Sequence, residues 1–440
     1  MEKNERLNTK WFILAHCFNM DGRAASQTIT DRIPFLMKKG IDPLVLSAPT
    51  GIKDTRFPHF QIISPAPSGI RFEMRFIIKN KFKGPIIRNV LKSVSAVLCA
   101  PFYWAEKLII QLDSQWSWFL SASIKGYFLV KKYNPALLYS TAGPPSTHLT
   151  GYILHKIFNL PWIAEMHDPL ILDDQPRKWH DYYFKKWIEK KVCKNASAVI
   201  YFTEKALENA NRRHPIKHEG IIVRPGANPP DFSAAQYKKR DKIHFAHFGS
   251  LDKTRNLNVF IQALHELIKE NNDLKSMVLL DIYGCELDAF SRKTLSKYPL
   301  DGILIEHGRL EYDPKSGKSG RQQVMEAMRK SDVLVILHGG EGSVCNEYIP
   351  SKLYEYLLTY RPILGLAAKN TELEEFLIAT GNLAVDKDNV CAVKKGISEY
   401  IDKWEKEGLS DRKESSPFTV EATVNKLLSI VKDLEHKNKR

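Results

Sequence analysis

Residues 346–357, Asn-Glu-Tyr-Ile-Pro-Ser-Lys-Leu-Tyr-Glu-Tyr-Leu, combine two glutamates and a lysine within a short span. One apolar run precedes them and another follows, so the order predicts strand, loop, short helix and strand. Pro350 suits a first helical position, and Ser351 suits a cap. The backbone N–H groups of Ser351, Lys352 and Leu353 would then be free to bind an anion such as a diphosphate.

Two carboxylates flank that predicted anion site. Glu355 falls one helical turn beyond Ser351 on the same face, roughly 6 Å along the axis, which suits the hydroxyls of a ribose attached to the diphosphate. Glu347 stays on the loop before the helix, at the mouth of the same crevice. A surface helix with two solvated glutamates explains the same residues, so the segment alone leaves both interpretations open.

A histidine and an aspartate follow residues 162–166, whose apolar pattern predicts a buried strand. In α/β proteins, ligands bind at the carboxyl ends of strands. His167 could there accept a proton or hydrogen-bond a sugar hydroxyl, and Asp168 could orient it or bind the acceptor. A purely structural role for His167 is the alternative.

A glycine loop follows the predicted first strand, residues 11–15. Gly22 lets the chain approach a ligand closely, and Arg23 beside it is placed to meet a phosphate. Asp21 precedes them in the same loop. A turn glycine with a solvated arginine is the alternative interpretation.

A second glycine loop follows the predicted strand at residues 243–248. Gly249 again permits close approach, and the loop carries two cations. Lys253 or Arg255 could neutralise a diphosphate, and a guanidinium can do so in bidentate fashion. The loop alone does not decide between these two residues, and a solvated turn explains it as well.

These candidate residues lie at the ends of predicted strands in a strand–helix alternation that starts twice, which indicates an α/β fold with doubly wound sheets. A stretch rich in Pro and Gly at residues 224–232 separates the two halves. The pattern predicts an N-terminal domain at 1–226, a C-terminal domain at 235–405, and a C-terminal helix and tail at 406–440.

The composition is that of a soluble chain with a basic balance: 440 residues, 43% hydrophobic, formal net charge +15 and pI near 9.3. Such a charge favours an acidic partner, either nucleic acid, an anionic membrane surface or a phosphorylated ligand.

Six scattered cysteines without a CxxC pair favour a reducing compartment with neither disulfides nor a zinc site. We expect no secretory signal, because the first residues are polar, and we expect the longest weakly charged run, 93–105, to be too short to cross a bilayer. A cytoplasmic location is therefore expected.

Residues 70–130 differ in residue pattern from the rest of the chain, because cations alternate with aromatic and aliphatic side chains. Such a stretch resembles an interfacial membrane segment. An ordinary helix pair covering the sheet is the alternative, and an RNA surface is disfavoured because no RNA-binding signature accompanies the charge. The cations in this stretch are Arg71, Arg75, Lys79, Lys81, Lys83, Arg88 and Lys92.

Taken together, six stretches resemble the GT-B glycosyltransferases, and more specifically the family 4-like group that builds bacterial surface polysaccharides. Glu347 and Glu355 reproduce the two glutamates of that group. The other five stretches are residues 139–148, 162–168, 197–204, 224–228 with Phe232, and 249–255.

The resemblance implies two Rossmann-like domains facing a central cleft, with a nucleotide-sugar donor in the C-terminal domain and the acceptor in the N-terminal one. It implies that Arg255 and Lys352 clamp the diphosphate, while Glu355 binds the ribose and Glu347 approaches the donor sugar. His167 corresponds to the acceptor-side histidine of the group. The glycine loop that follows the first strand in proteins of that group corresponds to Gly22 here, with Arg23 beside it.

By the same resemblance, the reaction retains anomeric configuration and needs neither a metal nor another cofactor, since cations and a helix N-terminus stabilise the departing diphosphate. The sequence thus predicts a glycosyltransferase, peripheral on the inner face of the cell membrane, that acts on a lipid-linked or polysaccharide acceptor. The alternatives are a non-catalytic assembly subunit with the same fold and, less favoured, a basic nucleic-acid-binding protein.

Overall fold

The computed structural model describes residues 9–20, 22–82, 84–141, 143–172, 178–228, 237–406, 408–409 and 416–438. Of the residues singled out in the sequence, Asp21, Lys83 and Phe232 lie outside these ranges. The chain forms two compact units, which divide after Pro225 and again after Thr419.

The first unit is built on a seven-stranded sheet in which all neighbouring strands are parallel, in the order β3-β2-β1-β4-β5-β6-β7. Its strands are β1 (Thr9–Leu14), β2 (Ile41–Ser47), β3 (His59–Gln61), β4 (Leu137–Ser140), β5 (Trp162–Met166), β6 (Ala198–Tyr201) and β7 (Gly220–Ile222). Its helices, apart from the last of the chain, are α1 (Ala24–Lys38), α2 (Pro67–Lys81), α3 (Pro85–Ile109), α4 (Trp118–Tyr133), α5 (Pro145–Phe158), α6 (Trp179–Asn195) and α7 (Glu204–Arg213).

The second unit repeats this plan with a six-stranded parallel sheet in the order β10-β9-β8-β11-β12-β13. Its strands are β8 (Ile243–Phe248), β9 (Val278–Tyr283), β10 (Leu304–Gly308), β11 (Val333–Leu337), β12 (Ile363–Ala367) and β13 (Leu383–Asp386). Its helices are α8 (Asn258–Glu270), α9 (Leu274–Met277), α10 (Ala289–Lys297), α11 (Gly320–Lys330), α12 (Lys352–Leu358), α13 (Glu372–Ala379) and α14 (Val390–Lys406), with a 3-10 turn at Gly342–Glu347.

The central strands are mostly apolar because helices cover both faces of each sheet. In β1, Phe12 packs with Trp118 and Trp162 in the core on one face, whereas Trp11 packs with Ile29 in the core on the other. This burial on both faces explains why the strands appear in the sequence as short, unbroken apolar runs.

The strand order reverses once in each sheet, between β1 and β4 in the first unit and between β8 and β11 in the second. Parallel sheets of this kind bind ligands outside the carboxyl ends of the two strands at the reversal. The loops after Leu14, Ser140, Phe248 and Leu337 are therefore the places where the fold itself predicts a site.

The C-terminal helix α15 (Val420–Asn438) belongs to the first unit. Val424, Leu427 and Ile430 are buried in the same core as Trp11 and Ile33. The sequence placed residues 406–440 outside both domains, because nothing in a terminal amphipathic helix shows which sheet it covers.

Helix α3 differs from what the sequence predicted. The run 93–105, predicted to be too short to cross a bilayer, is part of the 25-residue helix α3, which is long and apolar enough to do so by length and composition. The flanking residues extend the run because Ile86, Ile87 and Val90 continue its apolar pattern.

Candidate functional site

The loop after β8 presents an arginine that the loop itself holds in place. Gly249 has φ 144°, a backbone conformation that favours glycine. The Arg255 guanidinium donates from Nε to the Ser250 carbonyl at 3.0 Å and from a terminal nitrogen to Ser250 Oγ at 2.8 Å. Asp252 accepts hydrogen bonds from the N–H groups of Thr254 and Arg255, which closes the turn.

The loop after β11 packs directly against this arginine. A Cβ atom at Gly339 would lie 2.7 Å from the Tyr348 hydroxyl and 3.1 Å from Cβ of Arg255. Contacts that short do not occur between real side chains, so glycine is required at this position for the two loops to approach. The two strands at the reversal thus bring Arg255 and Tyr348 together.

Behind these loops lies His247, a buried residue near the end of β8 that the sequence analysis did not single out. Its Nδ1 is 3.0 Å from the Val335 carbonyl, so this nitrogen carries the proton. Its Nε2 has no hydrogen-bond partner among the described residues and lies 3.8 Å from where a Cβ of Gly249 would be. Burial, together with the positive charges of Arg255 and Lys352, lowers the pKa of His247 to about 4.

The two cations that disfavour the charged form of His247 come from different elements. Arg255 comes from the loop after β8, whereas Lys352 is the first residue of α12. Lys253, the competing cation of the same loop, is exposed, whereas Arg255 is half-buried. The hydrogen bonds from the Arg255 guanidinium to Ser250 fix its position, which favours Arg255 over Lys253 as an anion ligand.

Helix α12 also brings a carboxylate to the same place. Lys352 Nζ donates to Glu355 Oε2 at 2.6 Å, and Glu355 is only 8% exposed. The Tyr356 hydroxyl accepts a hydrogen bond from the Phe248 N–H at 2.9 Å, which fixes α12 against the end of β8. The predicted residues Gly249, Arg255, Lys352 and Glu355 thus lie together at the reversal point of the second sheet.

The predicted start of this helix needs correction. Helix α12 begins at Lys352, so Pro350 precedes it, and the exposed Ser351 makes no capping hydrogen bond through its side chain. The Leu353 N–H donates to the Pro350 carbonyl at 3.0 Å, and the Leu353 side chain is fully buried. The prediction that Leu353 offers a free N–H to an anion is therefore wrong, because the first turn uses that group. A contact of Ser351 with a ligand stays a prediction.

Glu347 ends the 3-10 turn that follows β11 and is 2% exposed. Its neighbour Tyr348 is held by His338, whose Nε2 lies 3.2 Å from the Tyr348 carbonyl. Burial lowers the pKa of His338 to about 4 and raises the pKa of Tyr348 to about 12. Glu347 is thus fixed in a structured turn instead of lying on an open loop, and its predicted approach to a donor sugar stays a prediction.

In the first unit, His167 lies at the end of β5 with its ring fixed on several sides. Its Nε2 is 2.9 Å from Thr141 Oγ1 and 3.4 Å from Glu165 Oε1, and its ring lies 4.6 Å from that of Phe202. The Glu165 carboxylate favours the tautomer with a proton on Nε2, which leaves the lone pair on Nδ1. His167 is half-buried, whereas the neighbouring Asp168 is exposed.

A buried ion pair, also missed by the sequence analysis, supports His167. Arg32 from α1 donates to both oxygens of Glu165, at 2.8 and 2.6 Å, and Tyr139 donates to the same carboxylate. Burial opposes ionisation of Glu165, but the charge of Arg32 and the hydrogen bond from His167 outweigh it and lower the pKa of Glu165. A glutamate inside an apolar strand was the one sequence signal for this network.

The glycine loop after β1 lies next to a second buried charge. Gly22 has φ 74°, and the exposed Arg23 precedes α1 and donates to Cys17 Sγ at 3.5 Å. His16 Nε2 lies 3.3 Å from a carboxylate oxygen of Glu73 in α2. Burial disfavours the His16 imidazolium, yet interactions with Cys17 and Glu73 outweigh it and raise the pKa of His16 to about 9. Contacts of Gly22, Arg23 and Asp168 with an acceptor stay predictions.

The second unit also contains a cavity of about 270 Å³ that none of the predicted site residues lines. Its wall includes Asp281, which accepts hydrogen bonds from His244 and His307, both at 2.6 Å. The Tyr283 ring stacks on that of His307 at 4.1 Å and on that of Phe248 at 4.5 Å. This polar cluster satisfies its own hydrogen bonds and stiffens the sheet beside Gly249.

Two Rossmann-like domains, each with a parallel sheet that reverses its strand order, define the GT-B fold, the fold of a large class of glycosyltransferases. The comparison with solved structures confirms this fold and the resemblance to GT-B proteins seen in the sequence. No family model matches the chain, and no curated protein matches it either.

Among the solved structures is sucrose-phosphate synthase from Thermosynechococcus elongatus, with 13% identity, a TM-score of 0.60, and coverage of 98% of this chain and 99% of that one. Another is the α,α-trehalose 6-phosphate synthase from Burkholderia multivorans, with 10% identity, a TM-score of 0.57, and coverage of 98% and 99%. A third is HepE from Anabaena in complex with UDP and glucose, with 11% identity, a TM-score of 0.55 and 98% coverage of both chains. At these identities the likeness is one of fold.

Proposed function

We propose that this protein is a glycosyltransferase that moves a sugar from a nucleotide-diphosphate donor to a lipid-linked or polysaccharide acceptor. The observation that carries the proposal is the placement of two fixed cations at the reversal point of the second sheet: Arg255, held by Ser250 and packed against Gly339, and Lys352, bonded to the buried Glu355. Two cations next to a glycine that permits close approach suit a diphosphate, and a buried carboxylate suits the hydroxyls of a ribose. The HepE complex with UDP and glucose, a structure of the same fold, supports a nucleotide sugar as the donor.

The two cations would promote the transfer by stabilising the negative charge of the departing diphosphate. When the glycosidic bond to the donor breaks, negative charge builds up on the diphosphate, and fixed cations at that point lower the barrier. Arg255 is held by Ser250, and Lys352 is held by Glu355, so both cations are positioned before the reaction begins. This arrangement supports a transfer that needs no metal ion or other cofactor. Retention of anomeric configuration is part of the proposal through the resemblance to GT-B enzymes.

On the acceptor side, we assign His167 to the hydroxyl that attacks the sugar. Glu165 and Thr141 hold the ring by Nε2, so Nδ1 is the nitrogen that would accept a hydrogen bond from that hydroxyl. Gly22, Arg23 and Asp168 would contact the rest of the acceptor. A cytoplasmic protein at the inner face of the membrane would meet a lipid-linked acceptor there.

The test is thermal unfolding of the full-length protein with a panel of nucleotide sugars, beginning with UDP-glucose. A donor at a hundredfold excess over its Kd stabilises the folded protein by about 2.7 kcal/mol, which is measurable as a rise in Tm. The rise should persist in EDTA and disappear in Glu355→Ala. A panel without any stabilising nucleotide sugar would refute the donor site and would favour a non-catalytic subunit with this fold.

Transfer itself is tested with the stabilising donor and membrane lipid extracts as the acceptor source. Radiolabelled sugar should enter the lipid or polysaccharide fraction, and the product linkage should keep the anomeric configuration of the donor, as read by NMR. Donor binding without any transfer, over the same panel of extracts, would separate a binding protein from an enzyme.

A further inference from the structure

Helix α3 reverses the usual pattern of a surface helix, because apolar side chains face outward along its length. Leu108 is 80% exposed and Ile86 is 78% exposed. None of the exposed side chains among its 25 described residues is charged. An apolar surface of this length marks an interaction site. The exposed apolar residues of this outward face are Ile86, Ile87, Val90, Val94, Val97, Leu98, Phe102, Trp104, Leu108 and Ile109.

Among the 25 described residues of α3, Glu106 is the one that is buried, and its hydrogen bonds hold the apolar face outward. Glu106 accepts from the N–H and the hydroxyl of Ser68, at 2.7 and 2.6 Å, and from Trp116 Nε1 at 2.7 Å. Rolling the helix to bury its apolar face would break these three bonds and leave the carboxylate unpartnered. The outward exposure is thus fixed by specific contacts.

Helix α2 packs beside α3 and is anchored to the sheet in the same way. Its buried Glu73 accepts from the N–H and hydroxyl of Ser64, at 2.9 and 2.6 Å, and pairs with His16 after β1. The Arg71 guanidinium of α2 lies over the Tyr103 ring of α3 at 4.6 Å. The two helices therefore form one unit, the α2–α3 hairpin.

We propose that the α2–α3 hairpin docks on a lipid bilayer, with α3 lying parallel to the surface and its outward face inserted among the acyl chains. At 1.5 Å per residue the helix is about 37 Å long, which would also span a bilayer. Crossing would carry the adjacent α2 into hydrocarbon, and the exposed Arg75, Lys79 and Lys81 of α2 would lose their hydration. The parallel orientation keeps those cations at the headgroups.

The positive charge of the α2–α3 hairpin indicates that the bilayer is anionic. It also favours a bilayer over a protein partner. The only acidic residues of α2 and α3 are Glu73 and Glu106, and both are buried. The hairpin thus presents cations and apolar groups together, which matches anionic headgroups above acyl chains. Exposed Trp104 and Phe102 are side chains that interfaces favour. The cations of the two helices are Arg71, Arg75, Lys79, Lys81, Arg88, Lys92 and Lys107.

The sequence pattern suggested attachment through the cations, whereas the structure adds an apolar contribution that salt does not screen. Attachment should therefore depend more on the outward face of α3 than on the charges of α2. This inference uses no residue of the donor site and does not depend on the proposed transfer reaction.

The experiment is co-sedimentation of the full-length protein with vesicles of phosphatidylcholine alone or with added phosphatidylglycerol. The native protein should bind the anionic vesicles more strongly and should remain partly bound at high salt. The double variant Leu98→Asp with Phe102→Asp should lower the vesicle partition coefficient at least about tenfold, because two carboxylates would enter the apolar layer. Both positions are exposed, so the thermal unfolding temperature should not change.

The matched control is Ile378→Asp, which places a carboxylate on another exposed apolar helical residue, 61% exposed, in the second unit. It should leave vesicle binding unchanged. Equal binding by the native protein and the double variant would overturn the proposal, as would no vesicle binding at all. Self-association that the double variant abolishes, without vesicle binding, would show that a second copy covers this face and would also overturn it. Nucleotide-sugar stabilisation, measured on the same samples, reports separately on the donor site.

Discussion

Substituting Arg255 by alanine tests the donor site most directly. Its guanidinium is 29% exposed at the side chain and is held by Ser250 and Asp252, so it meets a ligand without first losing conformational freedom. A hydrogen bond to a charged group contributes about 1.5–3 kcal/mol. A loss of about 2–3 kcal/mol corresponds to a Kd that rises about 30-fold to 140-fold.

The assay is isothermal titration calorimetry with the nucleoside diphosphate of the donor that the thermal panel identifies. Lys253→Ala is the matched control, because it removes an exposed cation from the same loop and should change Kd by less than about twofold. Arg255→Ala should also raise the pKa of His247, since one of the two cations that disfavour its imidazolium is gone. The opposite result, in which Lys253→Ala raises the Kd strongly and Arg255→Ala leaves it unchanged, would refute the assignment of the two cations.

Three further predictions follow from the buried groups. Arg32→Leu leaves the buried Glu165 carboxylate without its cation, so urea denaturation should show a free energy of unfolding lower by about 3–5 kcal/mol; unchanged stability would contradict the ion pair. His167→Ala should lower kcat well over tenfold while nucleotide affinity stays the same, and an equal loss of both would remove its acceptor-side role. The pKa values of His247 and His338 lie near 4 when folded and near 6.5 when unfolded, so the contribution of these two histidines to stability should be complete above pH 6.5 and should fall by about 3 kcal/mol per histidine towards pH 4. Melting curves that do not change between pH 6.5 and pH 4 would contradict their neutral burial.

Much of the fold could be predicted because parallel strands buried on both faces appear as apolar runs. The predicted bounds of β5 and β8 are those of the structure. Strands β3 and β13 were missed for a physical reason: they have only three and four residues, and β13 is half-buried along its length, so each gives a weak signal. The weakly charged run 93–105 marked only part of α3, and which way its apolar side faces depends on contacts of Glu106 that no local pattern shows.

The candidate site was predicted in part. Position at strand ends singled out Gly249 and Arg255, and the structure places them beside Lys352 and Glu355. The sequence could not decide between the two cations of the loop, because the choice depends on how Asp252 folds it. His247 was missed because a histidine within an apolar strand looks like an ordinary core residue.

The Arg32–Glu165 pair shows the same limit more clearly. The two residues are 133 positions apart, so no local pattern connects them. Glu165 alone looks like an isolated charge in an apolar strand, and Arg32 looks like an ordinary charge on an amphipathic helix. Long-range pairing of this kind becomes visible only when the sheet brings α1 and β5 together.

The place of α15 in the fold has a consequence for biosynthesis. Because Val424, Leu427 and Ile430 complete a core of the first unit, a nascent chain lacks part of that core until α15 leaves the ribosome. The second unit has its whole sequence available earlier and can fold first. Removing α15 should therefore expose Trp11 and Ile33 of the first unit, and chains shortened before α15 should aggregate through that surface.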